Sequence, residues 1–185
     1  AALAAEPASR RADLAARIET VAADHGDAAS LARACAGCDV VLANYPRSSV
    51  GAEGDPADAD FESLWTAGLR STIAAVGRGR EVLVLGPTPI PPDPVPDCVS
   101  AHLGDTRPCD IPRTVVRQDR IAAERALARD VGAAYTDVTD WFCGETTCPV
   151  VLGPYLVYRD QSHVSTPYAE WLAPNLAQVV ESVGF

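Results

Sequence analysis

The residues best suited to chemistry are Asp160 and His163, in the segment Arg159-Asp160-Gln161-Ser162-His163. A carboxylate three residues before a histidine in a turn can accept the imidazole Nδ1 hydrogen. Nε2 is then free to act as a base toward a nearby hydroxyl group. The same spacing also suits an ordinary turn in which His163 is hydrogen-bonded only to the backbone. The two residues are therefore candidates for acid–base chemistry, with a local structural role as the alternative.

The six cysteines fall into three close pairs, which are Cys35 with Cys38, Cys98 with Cys109, and Cys143 with Cys148. An even number of cysteines in loop-like sequence favours disulfides and an oxidising compartment. Zinc is the weaker alternative, because one Cys-x-x-Cys supplies only half of a usual site. We predict no metal site, and disulfides for the last two pairs. Cys35 and Cys38 form a disulfide with each other or pair elsewhere, and a thiol-redox role for them ranks lowest.

Length, composition and charge exclude several classes of protein. The chain has 185 residues, 48% of them hydrophobic, and a formal charge of −10. This length and apolar content suit one folded domain and exclude a disordered chain. The negative charge argues against a nucleic-acid partner, because phosphate contacts need clustered cations. The longest apolar stretches, Val82–Ile90 and Pro149–Tyr158, are shorter than the roughly 20 residues of a membrane-spanning helix. Since the chain starts at Ala1 without Met, we expect a processed product or a fragment.

The elements that must position Asp160 and His163 alternate between helical and extended patterns. Hydrophobic spacing predicts helices over Ala8–Ala23, Ala28–Ala34, Phe61–Val76 and Pro112–Asp130, and a last helix from Thr166, with Thr166 as its cap. Strands are predicted over Asp39–Ala43, Glu81–Gly86 and Ala133–Val138, an extended loop over Pro87–Pro96, and a hairpin over Val150–Tyr158. This order is typical of a parallel α/β sheet covered on both faces, which binds ligands at the carboxyl ends of its strands. We expect a helical segment over residues 1–38 and an α/β domain over residues 39–185, packed as one compact domain.

Several segments together resemble SGNH hydrolases, and above all the extracytoplasmic SGNH domains fused behind bacterial membrane acyltransferase-3 proteins. The segments that carry the resemblance are Val157–Pro174, Trp141–Val151, Val95–Cys98, Asp39–Leu42 and Val82–Pro87. The resemblance covers roughly residues 39–177. It implies a three-layer α/β/α fold with a mainly parallel sheet and a Ser-His-Asp site for acyl transfer or ester hydrolysis. Asp160 and His163 are the residues that match this site.

The chain departs from the family at the nucleophile. The family's serine lies in a Gly-Asp-Ser block after the first strand, and this sequence contains no Gly-Asp-Ser. The first strand of the fold is expected to be missing with it, as in a truncated or diverged relative. Ser48 and Ser49, past the strand Asp39–Ala43, are the candidate substitutes. Asn44, at the end of that strand, occupies the place where these hydrolases often have an oxyanion-hole amide. Ser162 and Ser165 are predicted to be turn and cap groups.

The resemblance implies an extracytoplasmic domain that handles O-acyl groups, most often O-acetyl, on a cell-envelope carbohydrate. No metal or organic cofactor is expected. The expected partners are a carbohydrate or small acyl ester and a membrane acyltransferase-3 domain encoded in the same gene. Because the nucleophile block is absent from the sequence, a non-catalytic binding or partner module is the competing hypothesis.

Overall fold

The computed structural model describes residues 59–77 and 80–183, together with Ala29 and Arg33, which are both helical. The described residues divide into two compact units. The first contains residues 59–77, 80–82 and 130–133, and the second contains residues 83–129 and 134–183. The predicted helix Ala8–Ala23 and the predicted strand Asp39–Ala43 lie outside the described residues.

The first unit contains helix α1, Ala59–Val76, which begins two residues before the predicted start. Its buried positions lie in the last two turns and include Ile73 and Val76. The amide of Gly77 still donates to the carbonyl of Ile73 at 2.8 Å. An ion pair between Arg70 and Asp130 (2.7 Å) lies on the surface of this unit, where such a pair adds little stability.

The second unit is built around a parallel strand pair. Strand β1, Leu83–Leu85, pairs with β3, Ala134–Thr136, and Val84 lies opposite Tyr135. A parallel pair needs a long crossover connection. Here the connection contains α2 (Val95–Ala101), β2 (Ile111–Pro112) and α3 (Gln118–Asp130). Two antiparallel pairs complete the described strands, β2 with β4 (Thr147–Cys148) and β5 (Val151–Leu152) with β6 (Tyr155–Leu156). The fold class is α/β.

Two of the predicted element boundaries that are wrong lie near prolines. The predicted loop Pro87–Pro96 ends early because α2 begins at Val95, where a proline in the first turn costs the helix no hydrogen bond. The predicted helix from Pro112 begins instead at Gln118. Pro112 pairs with Thr147 in the β2–β4 ladder, and a 3-10 turn follows over Arg113–Val115. A long-range strand pairing therefore overrides the local helical pattern.

The last helix, α4, spans Thr166–Ser182 and runs through Pro174. Its N-cap is Ser165, which confirms the cap role predicted for this serine and corrects the cap predicted at Thr166. The Ser165 hydroxyl accepts a hydrogen bond from the Tyr168 amide at 3.3 Å. The same hydroxyl donates to the Leu156 carbonyl. An N-cap serine of this kind stabilises a helix by about 1 kcal/mol. Ser165 therefore fixes where the chain leaves β6 and enters α4.

Helix α4 packs on the core of the second unit. Tyr168 and Leu172 face this core, and Tyr168 is fully buried. Its hydroxyl donates to the Trp141 carbonyl at 2.5 Å, and burial raises the pKa of Tyr168 to about 12. The phenol therefore remains a hydrogen-bond donor at neutral pH.

None of the described helices combines the length and the apolar character needed to cross a membrane.

Two disulfides close local loops in the second unit. Cys98 in α2 is bonded to Cys109, and Cys143 is bonded to Cys148 in β4. Cys109 and Cys148 are both buried in the core. The Cys143–Cys148 bond closes the turn that leads into β4, the strand that pairs with β2. Each bond restricts the unfolded chain and thereby favours the folded state.

Reduction of these disulfides is expected to destabilise the protein. Loops closed by cysteines 11 and 5 residues apart should each contribute about 2–3 kcal/mol on the chain-entropy model. Urea unfolding with and without dithiothreitol measures the total change in the free energy of unfolding. The double variants Cys98→Ser/Cys109→Ser and Cys143→Ser/Cys148→Ser separate the two bonds from any effect of Cys35 and Cys38. An unchanged unfolding midpoint under reductant would contradict the prediction.

Candidate active site

Asp160 and His163 lie in a short loop whose two ends are joined by backbone pairing. Tyr158 and Val164 form an antiparallel bridge, and the Arg159 amide donates to the His163 carbonyl at 2.9 Å. The Ser165 amide donates to the Val157 carbonyl at 2.8 Å, immediately before α4. The loop of residues 159–163 is therefore held at its base, between the hairpin β5–β6 and α4.

The Asp160 carboxylate organises this loop with both of its oxygens. Oδ1 accepts the backbone N–H groups of Ser162 and His163, each at 2.8 Å. Oδ2 lies 2.8 Å from Nδ1 of the His163 imidazole. Asp160 therefore has both roles considered for this segment, since Oδ1 closes the turn and Oδ2 contacts the imidazole ring.

These contacts also fix the charge of Asp160. The backbone N–H groups of Ser162 and His163, and then the imidazole of His163, lower the pKa of Asp160 to about 2. The carboxyl group is therefore ionised at neutral pH and acts only as an acceptor. An ionised acceptor at Nδ1 favours the tautomer that carries its proton on Nδ1.

The opposite ring nitrogen faces a different environment. With the proton on Nδ1, Nε2 of His163 carries a lone pair, and it has no hydrogen-bond partner among the described residues. The side chains of His163 and Asp160 are 57% and 44% exposed. A substrate or a hydroxyl group can therefore reach the ring. Ser162 Oγ lies 3.4 Å from Nδ1, the nitrogen that Asp160 already contacts, which fits its predicted role as a turn residue.

The proline loop after β1 is attached to this site by two hydrogen bonds that the sequence analysis missed. The Tyr158 hydroxyl donates to the Pro89 carbonyl, and Nε2 of Gln161 donates to the Pro92 carbonyl, both at 2.7 Å. Tyr158 is 1% exposed, and burial raises the pKa of its hydroxyl. Each donor is 69 residues from its acceptor in the sequence. No local sequence pattern points to partners so far apart.

The structure does not describe the remaining predicted site residues. Asn44, Ser48, Ser49, Cys35 and Cys38 fall outside the described residues. Their roles as oxyanion-hole amide, nucleophile and cysteine pair stay predictions.

One histidine lies beside a disulfide. Cys98, His102 and Cys109 each place a potential metal-ligand atom within 4.8 Å of the other two. Both sulfurs are consumed in the Cys98–Cys109 bond, and zinc binds cysteine as the thiolate. Nδ1 of His102 is 2.8 Å from the Cys98 carbonyl oxygen. As long as the disulfide is intact, the cluster offers no thiolate to a metal ion.

Comparisons with known proteins concern the family and the fold of the chain. Residues 5–178 match a family model described as "SGNH domain (fused to AT3 domains)". The lipopolysaccharide acetyltransferase periplasmic domain of Salmonella ser. Paratyphi A has a similar fold, with a TM-score of 0.59 and 15% sequence identity. The alignment covers 83% of this chain and 60% of that one, so the chain spans less than two thirds of its neighbour's length. No curated protein matches the chain.

The ionisation of Asp160 provides a test of this geometry. We expect its carboxyl carbon to titrate with a pKa of about 2, against roughly 3.9 in an unfolded chain. Because the folded pKa is the lower one, Asp160 stabilises the fold above pH ~4 and loses this contribution as the pH falls toward 2. In His163→Ala the pKa should remain low, since the backbone N–H groups are its first cause. Carbon-13 NMR measures both values, and a parent pKa near 4 would contradict the observed turn.

Proposed function

The chain belongs to the family of SGNH domains fused to AT3 domains, and we propose that it handles O-acyl groups on a cell-envelope carbohydrate. O-acetyl is the acyl group we favour, and esterase or acyltransferase chemistry is the reaction class. The observation that carries the proposal is the 2.8 Å contact between Asp160 and Nδ1 of His163. It leaves Nε2 on an exposed ring as a base.

In the proposed mechanism, Nε2 of His163 removes the proton of a serine hydroxyl as its oxygen attacks the acyl carbonyl carbon. Asp160, ionised and hydrogen-bonded to Nδ1, orients the ring and stabilises the imidazolium that forms. Backbone amides and a side-chain amide hold the negative charge that develops on the carbonyl oxygen. When the tetrahedral intermediate collapses, the imidazolium protonates the departing alkoxide and the acyl group remains on the serine. Water or an acceptor hydroxyl then removes the acyl group by the reverse sequence of proton transfers.

The proposal extends to residues outside the described part of the chain. Ser48 or Ser49 serves as the nucleophile, and Asn44 supplies the oxyanion-hole amide. All three residues follow the predicted strand Asp39–Ala43 in the sequence, and ligands of α/β proteins bind at the carboxyl ends of strands.

The location and the partner of the domain are part of the same proposal. Disulfides persist in oxidising compartments, and the two disulfide bonds of the second unit support an extracytoplasmic location. The structural neighbour is described as a periplasmic domain. We propose a membrane acyltransferase-3 domain of the same gene as the partner, which would present acyl groups to the His163 face.

A non-catalytic module is the second candidate function. The absence of Gly-Asp-Ser from the sequence favours it, because the family nucleophile lies in that block. In this case the 159–163 loop would be kept for binding a carbohydrate or the membrane partner. Asp160 would then serve only to close the turn.

Labelling with a fluorophosphonate distinguishes the two candidates. If the chain holds an activated serine, intact-mass measurement should show one adduct per chain, and peptide mapping should place it at Ser48 or Ser49. His163→Ala should slow labelling by about 10²- to 10⁴-fold, the usual contribution of a general base. The melting temperature should change little, because the His163 side chain is exposed.

His102→Ala is the matched control. It removes another exposed imidazole, one that contacts the Cys98 carbonyl rather than a carboxylate, and labelling should be unchanged. A folded parent chain that takes up no label would overturn the catalytic proposal for this chain and favour the binding module. Labelling that persists at full rate in His163→Ala would remove His163 from the mechanism.

A further inference from the structure

The 159–163 loop is closed at its base, and among the described residues one side chain attaches its tip to the rest of the second unit. Gln161 lies between Asp160 and His163 and donates to the Pro92 carbonyl at 2.7 Å. We propose that Gln161 is a positioning residue, which holds the Asp160–His163 pair in its hydrogen-bonded geometry by anchoring the loop tip to the proline loop. The inference rests on the proposed function of His163.

The proline loop is a suitable anchor because of its composition. Prolines at 87, 89, 91, 92 and 94 fix their own φ angles, which makes the segment stiff. Prolines also have no N–H group, whereas every residue keeps a carbonyl acceptor. The segment therefore offers few N–H donors of its own, and the side chains of Tyr158 and Gln161 donate to two of its carbonyls.

The hydrogen bonds of Tyr158 and Gln161 attach the loop to the proline loop at two different points. Both join residues that are 69 apart in the sequence. Residues 89–92 and 158–161 therefore run side by side in the same direction. Tyr158 fixes the start of the loop from within the core, and Gln161 fixes a point three residues further on. Two points of attachment restrain the rotation of the loop as well as its position.

Loss of the second attachment should affect the ring of His163 first. The contact between Asp160 and His163 is largely exposed, so water competes for both groups. A loop tip that rotates freely would let the imidazole leave Oδ2 and take its proton on Nε2. The ring would then present a hydrogen-bond donor, rather than a base, at the position where the mechanism needs a lone pair.

The test is the variant Gln161→Met, which keeps a long unbranched side chain without charge but removes the donor. Long-range proton–nitrogen NMR of His163 reports which ring nitrogen carries the proton. We expect the ratio of the Nδ1–H to the Nε2–H tautomer to fall by about 2- to 10-fold, the factor that corresponds to one net hydrogen bond. The exchange of the Nδ1 hydrogen with water should accelerate by a similar factor.

Gln178→Met is the matched control, because Gln178 is an exposed residue of α4 with no side-chain hydrogen bond to the described residues. It should leave the His163 spectrum unchanged. Amide hydrogen exchange in β1 and β3 should be unchanged in both variants, since a positioning role does not involve the core. In an active chain, Gln161→Met should lower kcat by the same factor and leave KM unchanged.

Two results would overturn the inference. One is a His163 tautomer ratio in Gln161→Met equal to that of the parent. The other is faster amide exchange throughout β1 and β3, which would mean that Gln161 merely stabilises the fold. Neither result depends on turnover. Failure of the inference is therefore distinguishable from failure of the proposed function, which is tested by labelling of the parent and of His163→Ala.

Discussion

The hydrogen bond from the buried Tyr158 hydroxyl to the Pro89 carbonyl is the interaction on which the candidate site depends. Burial raises the pKa of this hydroxyl, so it stays a donor at neutral pH. The backbone of the same residue pairs with Val164 and closes the loop that carries Asp160 and His163. Tyr158 thus connects the core, the proline loop and the candidate acid–base pair through one side chain and one backbone bridge.

Asp160 shows how a structural and a chemical role can share one carboxylate. Each oxygen has its own partners, since Oδ1 accepts two backbone N–H groups and Oδ2 contacts Nδ1 of the imidazole. The backbone bonds also lower the pKa of the carboxyl group, which stays ionised to about pH 2. An aspartate that closes a turn can therefore also orient a histidine, because its second oxygen remains an ionised acceptor. The loop needs no buried charge, whose desolvation would be costly.

The helix boundaries show where local sequence preference gave way to long-range contacts. The 3.6-residue pattern correctly predicted α1 and α4, since each buries residues at helical spacing. It failed at Pro112, because the short turn closed by Cys143–Cys148 delivers β4 to pair with β2. It also missed α2, where the many prolines indicated only a loop. Prolines in the first turn are compatible with a helix start.

The sequence alone determined the α/β class, the disulfide pairs Cys98–Cys109 and Cys143–Cys148, the family resemblance and the candidacy of Asp160 and His163. Each of these depends on residue types and on short spacings along the chain. Only the tertiary structure decided that both roles of Asp160 occur together, and that Tyr158 and Gln161 fasten the loop to Pro89 and Pro92. These partners are 69 residues apart, and the path of the chain between them, through α2, α3 and the β1–β3 pair, decides whether they meet. No pattern within a short window of sequence encodes that path.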